Sequence, residues 1–191
     1  MKKLLLLATV CVIATGASAI DLKPYVEGRL TYTFSDVKFS NPMETVTVDQ
    51  NVLGGAVAFG TAIDQFRVEV EGFHNGKKES SVQTTKVEPK AYGIFINGYY
   101  DLTNVNGIRP YVGGGIGYSW LKTKLTTPRR SASVKDKDWG YNVGFGFAYD
   151  IQDNTAITLG YRYENLGTAK IMGMKEEFKG NKISLGLRYT F

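Results

Sequence analysis

Apolar side chains recur at every second position in eight stretches between residue 24 and the end of the chain. Over residues 181–191, Ile183, Leu185, Leu187, Tyr189 and Phe191 alternate with Lys182, Ser184, Gly186, Arg188 and Thr190. A period of two is that of a β-strand with one greasy and one polar face. Residues 24–34 repeat it, with Val26, Leu30, Tyr32 and Phe34 against Glu27, Arg29, Thr31 and Thr33. Leu53, Val57 and Phe59 then oppose Gly54, Ala56 and Ala58, and Phe66, Val68 and Val70 oppose Arg67, Glu69 and Glu71. Tyr92, Ile94, Ile96 and Tyr100 oppose Gly93, Phe95, Asn97 and Tyr99, and Val112, Ile116, Tyr118 and Trp120 oppose Tyr111, Gly113, Gly115, Gly117 and Ser119. Trp139, Tyr141, Val143, Phe145, Phe147 and Tyr149 face away from Gly140, Asn142, Gly144, Gly146 and Ala148. Ile157, Leu159, Tyr161 and Tyr163 face away from Thr158, Gly160, Arg162 and Glu164.

The connections alternate in length. Residues 61–64, 101–108 and 150–154 are short and carry turn residues such as Asn106-Gly107, whereas 35–49, 74–88, 122–137 and 165–179 are polar and about 15 residues each. Short turns at one end and long loops at the other predict an all-β, eight-stranded antiparallel transmembrane barrel with periplasmic turns and extracellular loops. Eight strands of ~10 residues leave room for such loops in a chain of 191, whereas sixteen would not.

The polar face decides between membrane and water. Glu27, Arg29, Arg67, Glu69, Glu71, Arg162, Glu164, Lys182 and Arg188 cannot line an apolar interior. The bulky set on the other face would overfill an eight-stranded lumen, which side chains only just fill. Charges inward and oily residues outward resolve both problems, and lipid demands closure because an open sheet edge would leave backbone groups unpaired. The aromatics agree. Tyr32, Phe34, Tyr92, Tyr118, Trp120, Trp139, Tyr161 and Tyr163 fall at the long-loop ends, and Tyr100, Tyr149, Tyr189 and Phe191 at the short-turn ends, as two interfacial girdles.

The LGLRYTF ending, the RPYVGGGIGYSW segment and the Gly-aromatic strands resemble the small bacterial outer-membrane barrels of the Opa, OmpX and OmpA-barrel type, the opacity-like porin family, along the whole chain after its leader. The resemblance implies that the ending, with Leu185, Leu187, Tyr189 and Phe191, is read by the barrel-assembly machinery.

Lys2 and Lys3, the apolar residues 4–15 and Ala17-Ser18-Ala19 form a secretory signal peptide over residues 1–19, leaving 20–191 as one barrel domain. Ala8-Thr9-Val10 before Cys11 is a poor lipobox, and without Cys11 no disulfide or thiol nucleophile remains. The exported part carries 21 basic and 18 acidic residues, (23 − 2) − 18 = +3, too mild for a nucleic-acid partner. No metal or cofactor is implied.

Four candidate sites remain. The lumen charges, four acids facing five bases, read as an ion-paired plug rather than a gate. His74, the only histidine, reads as a solvated loop residue; as a catalytic base it would need a positioned nucleophile, and Ser80 and Ser81 share its loop. The Gly113–Gly117 run reads as strand glycines, since neither a following helix nor a Lys-Ser/Thr pair completes a nucleotide loop. The basic stretch with Lys122, Lys124, Arg129, Arg130, Lys135 and Lys137 suits contact with lipopolysaccharide phosphates or an acidic host or surface polymer. The expected function is non-enzymatic: a barrel in the outer membrane presenting four surface loops for adhesion or envelope integrity. The alternatives are a narrow porin-like channel for small solutes and a lipid A-modifying enzyme.

Overall fold

The computed structural model describes residues 21–41, 44–76, 80–82, 85–127, 130–171 and 174–191; within 35–50, 80–89, 123–135 and 168–178 it describes the backbone. The signal-peptide segment, residues 1–19, lies outside the described residues.

The strands are β1 (Leu22–Asn41), β2 (Glu44–Ile63), β3 (Phe66–Asn75), β4 (Ser80–Val82), β5 (Thr85–Asp101), β6 (Ile108–Thr127), β7 (Arg130–Gln152), β8 (Thr155–Ile171) and β9 (Met174–Thr190). Each pairs antiparallel with its neighbour, and β1 closes on β9 from Tyr25↔Thr190 to Phe34↔Asn181. The three-residue β4 pairs with β5 beside β3, so eight staves form the closed ring. The eight staves are thereby paired along both edges, which is the condition for crossing lipid with strands. The short turns are tight. Val105 and Ile108 exchange both backbone hydrogen bonds (2.9 and 3.0 Å) around Asn106-Gly107, whose φ angles of 54° and 84° suit the primed turns of a hairpin.

The stretches read as polar loops are instead largely strand. The β1–β2 ladder runs on to Asn41↔Glu44, β6–β7 to Thr127↔Arg130 and β8–β9 to Ile171↔Met174. Beyond the bilayer no lipid enforces apolar alternation, so the polarity signal fades while the backbone ladder continues. Residues 45–48, TVTV, keep the β-branched character that favours a strand.

The two faces separate as alternation requires. Leu30, Leu53, Ile116, Val143 and Leu187 lie exposed on the outside, while Glu27, Arg67, Glu69, Glu71 and Lys182 are buried within. At β8 Leu166 is buried, continuing the inward parity of Arg162 and Glu164, and the register slips by one residue between Asn165 and Thr168, a bulge.

Candidate functional site: a filled lumen and an outward lysine face

Inward glycines set the room in the lumen. A Cβ on Gly117 would meet Phe95 Cδ1 at 2.6 Å, and one on Gly186 would meet Glu27 Oε1 at 2.9 Å. The glycine-rich run of β6 is thus paired strand on both sides, with its inward glycines making space for Phe95, Asn97 and Tyr99.

Into that space go the charges. Glu69 Oε1 accepts from Arg29 Nη1 (2.7 Å), Tyr99 Oη (2.9 Å) and Asn97 Nδ2 (3.1 Å), and Oε2 from Arg29 Nη2 (2.8 Å) and Tyr25 Oη (2.9 Å). Glu27 accepts from Arg29 Nε (2.8 Å), Arg188 Nε (2.8 Å) and Thr158 Oγ1 (2.7 Å). Glu71 takes Arg29 and a two-pronged Arg162 (3.0 and 2.6 Å), and Arg162 reaches on to Glu164 (3.0 Å). Lys182 Nζ, fully buried, pairs with Glu164 (2.7 Å) and donates to Asn75 Oδ1 (3.2 Å). Nearest the short turns, Arg67 Nε donates to both Asp101 oxygens (2.9 and 2.8 Å). Its guanidinium carbon lies 4.7 Å from the Tyr99 ring centroid and 5.0 Å from that of Tyr111. Its two terminal nitrogens have no hydrogen-bond partner, so the ring faces carry that part of the charge.

All nine charged residues singled out on the polar face therefore meet in one network. The tenth is Asp101, which falls in a stretch read as a short turn and is in fact the end of β5. With it the network comprises five acids and five bases among the described residues, and their formal charges cancel. Tyr25, Asn97, Tyr99, Tyr111, Asn142 and Thr158 complete the lining; their parity was readable, but their partners lie on other strands. Above the charges, Ala56, Phe73, Ala91, Phe95, Leu121 and Leu166 pack as an apolar cluster toward the ribbon end. A cavity of about 30 Å³ beside Arg29, Arg162 and Ser184 has room for about one water. Arg67, Glu69, Glu71, Phe95 and Lys182 are each no more than 2% exposed, so the interior at their level is filled by side chains.

The outer wall carries the remaining candidates. Leu185, Leu187 and Tyr189 point outward from β9, and the Phe191 amide donates to Pro24 O (2.9 Å), so the ending seals the β1–β9 seam. His74 is not in a loop. It lies on β3, paired with Gly55 and Tyr92, and faces outward at the upper girdle. Tyr92 stacks on Trp120 (5.6 Å, 8°), and Lys122 Nζ sits 5.1 Å from the Tyr92 ring.

Above this girdle, register brings lysines together. Lys90 pairs with Lys122, which pairs with Lys135; Lys137 pairs with Trp120, and Lys124 with Glu88; Lys86 pairs with Thr126. Directly opposed residues share a sheet face. Lys86, Lys90, Lys122, Lys124, Lys135 and Lys137 thus occupy one face of three adjacent strands, with Glu88 as the acid among them. Arg130 pairs with Thr127 and belongs to the other face, while Arg129 lies outside the described residues. Lys86 and Lys90 escaped the sequence reading because they sit on the neighbouring hairpin; counting back in twos from Tyr92 would have found them.

A closed antiparallel barrel with a charged, packed interior and an oily, aromatic-girdled exterior is an integral outer-membrane β-barrel. The chain matches the family of the outer membrane protein beta-barrel domain over residues 4–191 and belongs to it. It is an outer-membrane protein. It is 30% identical over 199 residues to the outer membrane protein PagN of Salmonella typhimurium, covering 83% of this chain and 82% of PagN. A Rickettsia canadensis protein provisionally named an adhesin is 31% identical over 107 residues, 53% of this chain; the chain spans 47% of that relative's length. Among solved structures, the fold matches Neisserial surface protein A with a TM-score of 0.63 at 17% identity, covering 89% of this chain and 97% of that one. It also matches Ail of Yersinia pestis, solved with the heparin analogue sucrose octasulfate, with a TM-score of 0.53 at 17% identity over 89% and 97% of the chains.

Proposed function

We propose that this barrel is a non-enzymatic surface protein that holds its extracellular ribbons rigidly and uses their lysine face to bind a polyanionic polymer, in adhesion to a host or neighbouring surface. One observation carries the reading: six lysines share one face of β5, β6 and β7 with a single glutamate. A concentrated field of one sign attracts polymers of the other. The adhesin designations among the relatives support the same direction, as does Ail, whose bound sucrose octasulfate is a compact polyanion. The ending of β9 is proposed as the segment handled by the barrel-assembly machinery, and outer-leaflet lipopolysaccharide as the lipid around the girdle.

Neither alternative finds comparable support. A solute channel would need water where five acids and five bases pair beneath an apolar cluster. A lipid-modifying site would need a nucleophile beside His74, whose paired neighbours are Gly55 and Tyr92.

The experiment is binding of a sulfated oligosaccharide to the purified barrel in detergent across a salt series. Wild type is expected to bind at low salt and to release as the Debye length falls. The K86Q/K124Q/K135Q variant should lose roughly a hundredfold, about fivefold per lysine. Equal binding by wild type and variant overturns the reading.

A further inference from the structure

The membrane-facing wall is not smooth. Across β9, β1, β2, β3 and β5 two consecutive outward rows run around the barrel. One is Leu187, Gly28, Val57, Gly72 and Ile94; the next, one pleat nearer the ribbons, is Leu185, Leu30, Gly55, His74 and Tyr92. The glycines alternate between the rows and leave an apolar furrow of about 1030 Å³. Nothing packs into it from the barrel: a Cβ on Gly28 would have no atom within 4 Å, and on Gly72 the nearest would be Val57 O at 4.0 Å.

The furrow has a polarity along its length. Its lower end is closed by Leu187 and Ile157, and its upper end opens at His74, Tyr92 and Trp120. Directly above that mouth stand Lys90 and Lys122, with Lys137 paired to Trp120. An oily trough within the bilayer that opens beneath cations at the outer headgroup level fits an amphiphile of one shape: a chain below and an anion above.

We propose that the furrow seats an acyl chain of lipid A, whose phosphates rest on Lys90, Lys122 and Lys137. The ribbon end is the extracellular end, so the neighbouring leaflet is the one built from lipopolysaccharide. Three cations spread over three adjacent strands suit a headgroup with two phosphates better than one with a single phosphate. The site shares three lysines with the polymer-binding face but adds the furrow, which a soluble polymer does not enter.

The test uses native mass spectrometry of the purified full barrel in detergent, titrated with lipid A, with its deacylated but still phosphorylated headgroup, and with phosphatidylglycerol. Lipid A is expected to bind wild type at least about tenfold more tightly than the deacylated headgroup, because only the intact lipid buries its chain. K90Q/K122Q/K137Q should lose roughly a hundredfold, about fivefold per lysine. The furrow-filling G28L/G72L should lose about tenfold while sulfated-oligosaccharide binding stays unchanged, so the two readings fail separately. Equal binding of lipid A and its headgroup to wild type overturns the proposal without needing any variant. So does equal binding of phosphatidylglycerol, or a dimer mass that disappears when the furrow is filled, which would make a second copy the occupant.

Discussion

Two regions of this molecule are rich in charge and treat it in opposite ways. In the lower lumen, five acids meet five bases at hydrogen-bonding distance, each buried or nearly so. On the ribbons, register puts six lysines and one glutamate at positions of a single sheet face. Buried charge must find its counter-charge within the chain, because desolvating an ion alone costs far more than any packing returns. Charge left unbalanced beside water has no such obligation, and its counter-charge can come from another molecule. Balance therefore marks structure, and imbalance marks a partner.

The sharpest way to break that contrast is to unbalance the lumen. Glu69→Leu removes the acceptor for Arg29, Tyr25, Tyr99 and Asn97 together and leaves a buried guanidinium short of a counter-ion. A loss of about 3–5 kcal/mol is expected, read as a lower denaturant midpoint for unfolding in detergent. A variant as stable as wild type would mean that Glu27 and Glu71 suffice to balance Arg29. Wild type itself should pass no steady current across a planar bilayer, and a large ion-selective conductance would refute the plug.

Tyr25→Phe tests a smaller piece of the same network. It deletes one donor to Glu69 Oε2, which Arg29 Nη2 still satisfies at 2.8 Å. The cost should be about 1–2 kcal/mol by the same measurement, below that of losing the carboxylate. A loss equal to that of Glu69→Leu would show that the Tyr25 hydroxyl, rather than Arg29 Nη2, fixes Glu69, since the ring beside the Arg67 and Arg188 guanidinium groups survives in the variant.

Much of the barrel was legible because alternation is local. Counting in twos put Glu27, Arg29, Glu69 and Glu71 inside and Leu30, Val57 and Phe145 outside without knowing what lay opposite. What alternation does not carry is the neighbour. Tyr25 bonds to Glu69, 44 residues away, and Thr158 to Glu27, 131 away, and such pairs follow from closure and stagger rather than from any window of sequence. Asp101 was missed because it stands where strand meets turn, and an aspartate there reads as turn chemistry. The ribbons were missed for a different reason: a ladder of backbone hydrogen bonds needs no apolar face once it has left the lipid. His74 belongs with them, since the stretch that reads as a loop begins with the last two residues of β3.

The finest discrimination lies between two cations of the same hairpin. Lys124 shares the lysine face through its pairing with Ser133 and Glu88, whereas Arg130 pairs with Thr127 on the other face. A reading based on composition alone would rank them equally, or would favour the arginine for its forked donors. The register predicts otherwise. Lys124→Gln should weaken binding of a sulfated oligosaccharide about fivefold at low salt, the worth of one cation near an anionic surface. Arg130→Gln should change it by much less, since its charge falls across the sheet from the polymer. Equal losses would mean that the stretch attracts polyanions as a diffuse cloud of charge and that the sheet face has no part in it; a larger loss from the arginine would reverse which face of the hairpin meets the partner.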